Sequence, residues 1–299
     1  LKNIGDIVKL SNKIKSLSLM GVMIASLAIT PAVFAATSPG IGAANSFVIL
    51  SGTYSNTTSG TTLNGDLGYT TPPAVTPTVN GATHVADSVY NQAGIDQGNA
   101  LSYLNSQPCT FTFPSGPIDL ATDTTHGPVG VYTPGVYCAT GASNAVVGGT
   151  ITLTGGGTYI FRMDGALTTG ANSVVALAGG ASACDVWWTP TQATTLGANS
   201  TFIGTDIDAS GITIGSTVNW TGQALAYGGT VSTNSDTIST AACTAARSTT
   251  PTAPVVTSKL PNTAFGSSAT HSANTIALVT ACLSFVLVAF SLYLIRKKV

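Results

Sequence analysis

"TTLGANSTFIGT", Thr194 to Thr205, is the stretch on which the fold turns. It has no charged side chain, four threonines on β-prone ground, and Gly197 where a strand would bend. Three other stretches share its layout: "LTTGANSVV" (167–175), "ITIGSTVNW" (212–220) and "VSTNSDTIS" (231–239). Their turn positions align at Gly170, Gly197, Gly215 and Asn234; the last three lie 18 and 19 residues apart. The insert "GGASACDVWWTP" lengthens the first interval. Strand–turn–strand units recurring in this way read as the coils of an irregular β-solenoid, with a β-sandwich as the alternative.

Stacking the coils assigns the side chains. Phe202 and Gly204 point inward, with Trp220 and Gly222 above them and Val175 and Leu177 below. Thr201, Ile203 and Thr205 then point outward, as do Asn219, Thr221 and Gln223. Ahead of each turn, Thr168, Thr195, Thr213 and Ser232 make a second outward column. Coils stack about 4.8 Å apart, and same-face residues along a strand are about 6.7 Å apart. The expected result is a flat grid of hydroxyls and methyls, interrupted by Val174, Ile203 and Gln223. Threonine favours strands for its own steric reasons, so solubility alone can account for such columns. Beyond that, the grid suits an ordered, uncharged partner. Methyls cost little to dehydrate, and hydroxyls hold water in place.

Composition narrows the partners. Charged residues are 7% of the 299, against about 25% in an ordinary globular chain. Glu is absent and Gly occurs 33 times. Between residues 36 and 258, ten aspartates face only Arg162 and Arg247. Nucleic acid needs a basic stripe, and none exists; anionic polysaccharide is disfavoured for the same reason. Asp206 and Asp208, two apart, are the one carboxylate pair worth weighing as calcium ligands or acid–base groups. A turn at a coil edge explains them better. His84 and His126 sit at no recognisable triad spacing. The sequence predicts no catalytic residue, no metal and no cofactor.

One segment breaks the β texture. Residues 84–107, "HVADSVYNQAGIDQGNALSYLNSQ", place Val89, Tyr90, Ala93, Gln97, Ala100 and Leu104 at helical spacing, with Thr83 as cap. Gly94 and Gly98 weaken this helix, so it needs a surface to lie against. A long helix beside an otherwise all-β solenoid is the expected architecture.

The two ends carry targeting features. Residues 1–35 read as an export signal, with lysines, an apolar run and a small-residue cleavage site. The solenoid domain is expected over 36–243 and a Pro/Thr/Ser-rich spacer over 244–259. Residues 275–295 are apolar enough to span a membrane, and Arg296, Lys297 and Lys298 follow. The expectation is a monomeric ectodomain held at a cell surface. Cys282 lies in the span; Cys109, Cys138, Cys184 and Cys243 lie in the exported domain. Of the three pairings open to four cysteines, Cys109–Cys138 with Cys184–Cys243 is preferred.

Several blocks together resemble a known family. "ANSFVILSG" and "TTLNGDLGY", the helix after His84, "PGVYCATG" (134–141), residues 156–188 and residues 193–226 are similar in order and turn residues to the secreted ice-binding domains of bacteria and fungi. The similarity covers about Ile41 to Cys243. It implies an all-β-dominated, right-handed β-solenoid, discontinuous in sequence, with one long helix packed alongside. It implies adsorption to ice crystals through a flat, hydroxyl-rich face, carried here by Thr168, Thr195, Thr201, Thr205, Thr213, Asn219, Thr221 and Ser232. A surface adhesin for neutral glycan on the same scaffold is the alternative. Separately, Leu260-Pro261-Asn262-Thr263-Ala264, followed by an apolar span and a basic tail, resembles a Gram-positive cell-wall sorting signal. That implies cleavage after Thr263 by a sortase and attachment to the wall, although Ala264 stands where the motif has Gly.

Overall fold

Parallel backbone pairing between strands one coil apart organises the chain: twenty strands form one continuous sheet. The computed structural model describes residues 35–141 and 144–243. The sheet coils into an irregular β-solenoid with three faces. A broad face stacks residues 131–132, 150–154, 174–178, 201–203, 219–221, 237–239, 62–64 and 78–79. A narrow face stacks 118–119, 145–147, 167–169, 194–196, 212–214, 231–232 and 54–55. A covered face stacks 111–112, 135–139, 159–163, 186–190, 205–207, 223–225, 49–51, 66–68 and 83–85.

The coils are not in chain order. The strand Phe47–Asn56 pairs with Asn219–Thr233 on one side, and the rungs 66–68 and 83–85 on its other side lead the chain to one end of the covered face. Helix α1, Ser88–Ser106, then carries it along the covered face to the other end. Nine strands at about 4.8 Å span about 38 Å. A 19-residue helix reaches about 28 Å, and the extended residues after it supply the rest. Tyr90, Ala93, Ala100 and Leu104 pack on Leu50, Val136, Ile160, Trp187, Ile207 and Leu225. Gly94 is required by that approach: a Cβ there would stand 2.4 Å from the Tyr227 ring. The helix starts at Ser88 rather than His84, because residues 83–85 belong to the last strand of the covered face. Its cap is therefore Asp87, which accepts from the Tyr90 N–H at 2.8 Å, and not Thr83. At the other end the Arg162 guanidinium donates to the Asn105 and Gln107 carbonyls.

Inside the coils runs an aromatic column. Phe161 stacks on Trp188 at 4.4 Å, Trp188 meets Phe202 at 5.1 Å, and Phe202 meets Trp220 edge-on at 5.1 Å. The corners between narrow and broad faces are left-handed residues at matching places: Asn172, Asn199, Thr217 and Ser235, all with φ of 58–59°. The last three recur every 18 residues. Asn234 pairs by backbone with Thr217 one coil below, so the fourth turn is one residue shorter than its alignment with Gly215 implies.

The expected membrane anchor is corrected here. Among the described residues no helix is long and apolar enough to cross a membrane. Helix α1 carries Asp96 and several amides and spends its apolar side on the solenoid. The span 275–295, the spacer and the motif Leu260 to Ala264 lie outside the described residues, as does the export signal before Ala35. Attachment to membrane or wall thus has no support in the structure.

Disulfides join Cys109 to Cys138 and Cys184 to Cys243. The first staples the chain just after helix α1 to the covered face. The second links cysteines 59 residues apart, bridging the short turn Ala183–Asp185 to the end of the described chain. Closing a loop of that length restricts the unfolded chain by about 4 kcal/mol. Cys184→Ser with Cys243→Ser should lower the unfolding free energy by about that amount in a urea titration.

Asp206 and Asp208 are interior or corner groups. Asp206 is fully buried between the rungs of Trp188 and Ala224. Burial first, then the neighbouring Asp208, pushes its carboxyl well above the usual range. Asp208 accepts from the Thr194 and Ser210 N–H groups at 2.8 and 2.7 Å, and burial raises it as well. Asp236 does the same for Val218 and Asn234, and burial pushes it up to about 6. Raised carboxyls bind protons in the folded state that the unfolded chain has already released. Their stabilisation is present at low pH and is lost as pH rises from about 4 through each folded value. Urea midpoints should therefore fall between pH ~4 and neutrality, and Asp206→Asn should flatten that fall and raise the neutral-pH midpoint.

Candidate functional site

Strand alternation decides what each open face shows. On the broad face Ile151, Val175, Phe202, Trp220, Ile238 and Leu63 point into the core. Their neighbours form two outward columns. The first runs Thr150, Val174, Thr201, Asn219, Thr237, Thr62 and Thr78 in direct register. The second contains Thr152 with Ala176, then Ile203, Thr221, Ser239 and Asn64. β-branched and small residues fill both columns, as a pleated, half-exposed surface prefers.

The two ends of this face differ. Toward the N-terminal coils the amides bond among themselves: Asn80 donates to Asn64 at 2.7 Å, and Asn64 donates to Ser239 at 2.9 Å. Over the central coils the hydroxyls of Thr150, Thr152, Thr201, Thr221 and Thr237 have no hydrogen-bond partner among the described residues. Those groups are left for solvent. No charged side chain stands in either column.

The single expected grid divides in two. Thr201, Asn219 and Thr221 stand on the broad face. Thr168, Thr195, Thr213 and Ser232 stand in one register on the narrow face, around the corner. Thr205 is on neither; it is 2% exposed, and this corrects the expectation that it points outward. The cause is Gly204, whose φ of +109° turns the strand from the broad to the covered face and resets the alternation. Gln223 shifts with it, after Gly222, and its amide donates to the carbonyls of Ala44, Asn45 and Phe47. Thr205 in turn donates to Gln223 at 3.3 Å.

Thr150, Thr152, Thr237, Thr62 and Thr78 belong to the broad face without having been expected there. The alternation in "TITLT" and "TIS" carried the signal for the first three. Thr62 and Thr78 had none, because Thr62 stacks on Thr237, far away in sequence, and Thr78 joins the column only through Thr62.

Other chemistries find no footing. Among the described residues no cluster of three or more His, Cys, Asp or Glu could hold a metal ion. His84 Nδ1 lies 2.8 Å from the capping Asp87 carboxylate. His126 Nδ1 lies 2.6 Å from Asp123, and its ring stacks on Tyr132 at 4.0 Å. Trp187, Trp188 and Trp220 are fully buried, so none offers a ring to a sugar.

Comparison with known proteins agrees with this geometry. The chain is similar to an ice-binding protein of Nostoc sp. (strain HG1), 30% identical over 216 residues, covering 68% of this chain and 75% of that one. It is 32% identical over 199 residues to ice-binding protein 1 of Shewanella frigidimarina (strain NCIMB 400), covering 64% of this chain but only 20% of that longer protein. The crystal structure of an ice-binding protein from an Antarctic biological consortium superposes with a TM-score of 0.62 at 25% identity, covering 71% of this chain and 96% of that one. The family model for ice-binding-like domains matches residues 40–239, and the chain belongs to that family.

Proposed function

We propose that this protein binds ice, without catalysis, and that the central coils of the broad face make the contact. The observation that carries the assignment is a pair of outward columns, locked in parallel register, whose central hydroxyls are unclaimed by protein and whose neighbours are methyls. Free hydroxyls at regular spacing can each hold a water. Methyl, Val174, Ala176 and Ile203 surface lies between them and gives up its own water at little cost. A charge would bind water tightly in its own geometry and compete with the lattice. Because the coil is already rigid, little conformational freedom is lost on adsorption.

The contact residues are then Thr201, Thr221 and Asn219, joined by Thr150, Thr152 and Thr237. Thr205 takes no part. Neutral glycan is not favoured by any exposed aromatic platform of tryptophan.

A bulky ring in the centre of the face would hold the lattice off without touching the core. Thr201→Tyr or Thr221→Tyr should each remove most of the thermal hysteresis. Circular dichroism and the urea midpoint should stay as in the unsubstituted protein. Full hysteresis in both variants would move the contact off this face; no ice shaping by the unsubstituted protein would remove the function itself.

A further inference from the structure

The narrow face carries a second hydroxyl column that the broad-face contact does not use. Thr168, Thr195, Thr213, Ser232 and Ser55 occupy five consecutive coils in direct register. Thr195 and Thr213 are exposed, and the other three are half-exposed. None of the five hydroxyls has a hydrogen-bond partner among the described residues. Helix α1 lies on the covered face, away from this one.

Charge is kept off the column. The described residues hold ten aspartates, yet the narrow-face register meets one only at Asp119, at the far end beyond Val146. Asp206, Asp208 and Asp236, which flank the later of these coils in sequence, are buried, and Asp164, exposed four residues before Thr168, accepts from the Gly141 N–H at 3.3 Å. The corner that joins the two open faces is itself a bonded ladder. Asn172, Asn199 and Thr217 stack by backbone hydrogen bonds, and Thr217 Oγ1 donates to the Asn199 side chain. The two faces are thereby fixed to each other as parts of one frame.

We propose that the narrow face is a second, independent ice-contact plane, so that one molecule can adsorb through either of two differently oriented surfaces. This rests on the ice-binding reading of the broad face, since the chemistry is the same: unclaimed hydroxyls at the coil repeat, methyls between them, and no charge. The occupant is ice rather than a second copy of this chain, because one column of threonines and serines offers little apolar area for a protein partner to bury. The two planes select different crystal orientations, because a fixed corner separates them.

The test uses the fluorescently labelled full-length protein on a single-crystal ice hemisphere. The unsubstituted protein should decorate two sets of planes. Thr195→Tyr with Thr213→Tyr should erase one set, and Thr201→Tyr with Thr221→Tyr the other. Thr195→Val with Thr213→Val, which keeps shape and removes only the hydroxyls, should weaken the first set. An unchanged pattern in both narrow-face variants, with all decoration lost in the broad-face variant, would overturn the second plane and leave the ice-binding function standing. No decoration by the unsubstituted protein would overturn both. A dimer by light scattering that the narrow-face tyrosines convert to monomer would assign this face to self-association instead.

Discussion

Parallel hydrogen bonding at the coil repeat is the constraint on which everything else depends. Each rung's N–H and C=O groups are satisfied by the rungs on either side, so a side chain has no freedom to leave its column. That locking turns an ordinary strand-former such as threonine into an element of a lattice. It also sets strict demands at the corners. A Cβ on Gly222 would lie 1.8 Å from the Gly204 carbonyl oxygen. The bare backbone at that edge is therefore what lets coils sit at strand spacing while the chain changes direction.

The burden of such tight stacking falls on the interior. Aromatic rings fill the space that a flattened coil leaves, from Phe161 through Trp188 and Phe202 to Trp220. Carboxylates serve as backbone acceptors where a coil turns, as Asp208 and Asp236 do. Asp206 is different: it lies inside, fully buried, with burial and Asp208 both opposing its ionisation. A fold with so few ions on its open faces has placed part of its acidity where it cannot meet solvent.

Much of this was legible in the sequence. The repeated Gly-Ala-Asn-Ser turns exposed the coil, and the alternation on either side of them separated Phe202 and Trp220 from Thr201 and Thr221. Helical spacing identified the one helix. What escaped was phase. Gly204 and Gly222 each reset the alternation, and nothing in a two-residue pattern reveals where a strand rounds a corner; Thr205 and Gln223 were misread for that reason. The turn at Asn234 is one residue short, a deletion that a visual alignment absorbs without trace. The division of the hydroxyls between two faces was hidden because columns flanking a turn look continuous until the turn has an angle. The partnership of Phe47–Asn56 with Asn219–Thr233 is a contact between distant parts of the chain, which no local pattern records.

That last pairing has a consequence for how the molecule comes into being. A solenoid whose coils follow one another can grow rung by rung behind the emerging chain, each new turn condensing on the one before. Here Phe47–Asn56 has its neighbour in Asn219–Thr233, far along the chain, so the coil stays open on that side until that later strand has been made. Assembly is thereby dominated by long-range contacts and is slow and cooperative rather than sequential. Until the late strand arrives, Phe47–Asn56 presents an unpaired edge, and it is in that interval that the chain is most exposed to pairing with the wrong partner.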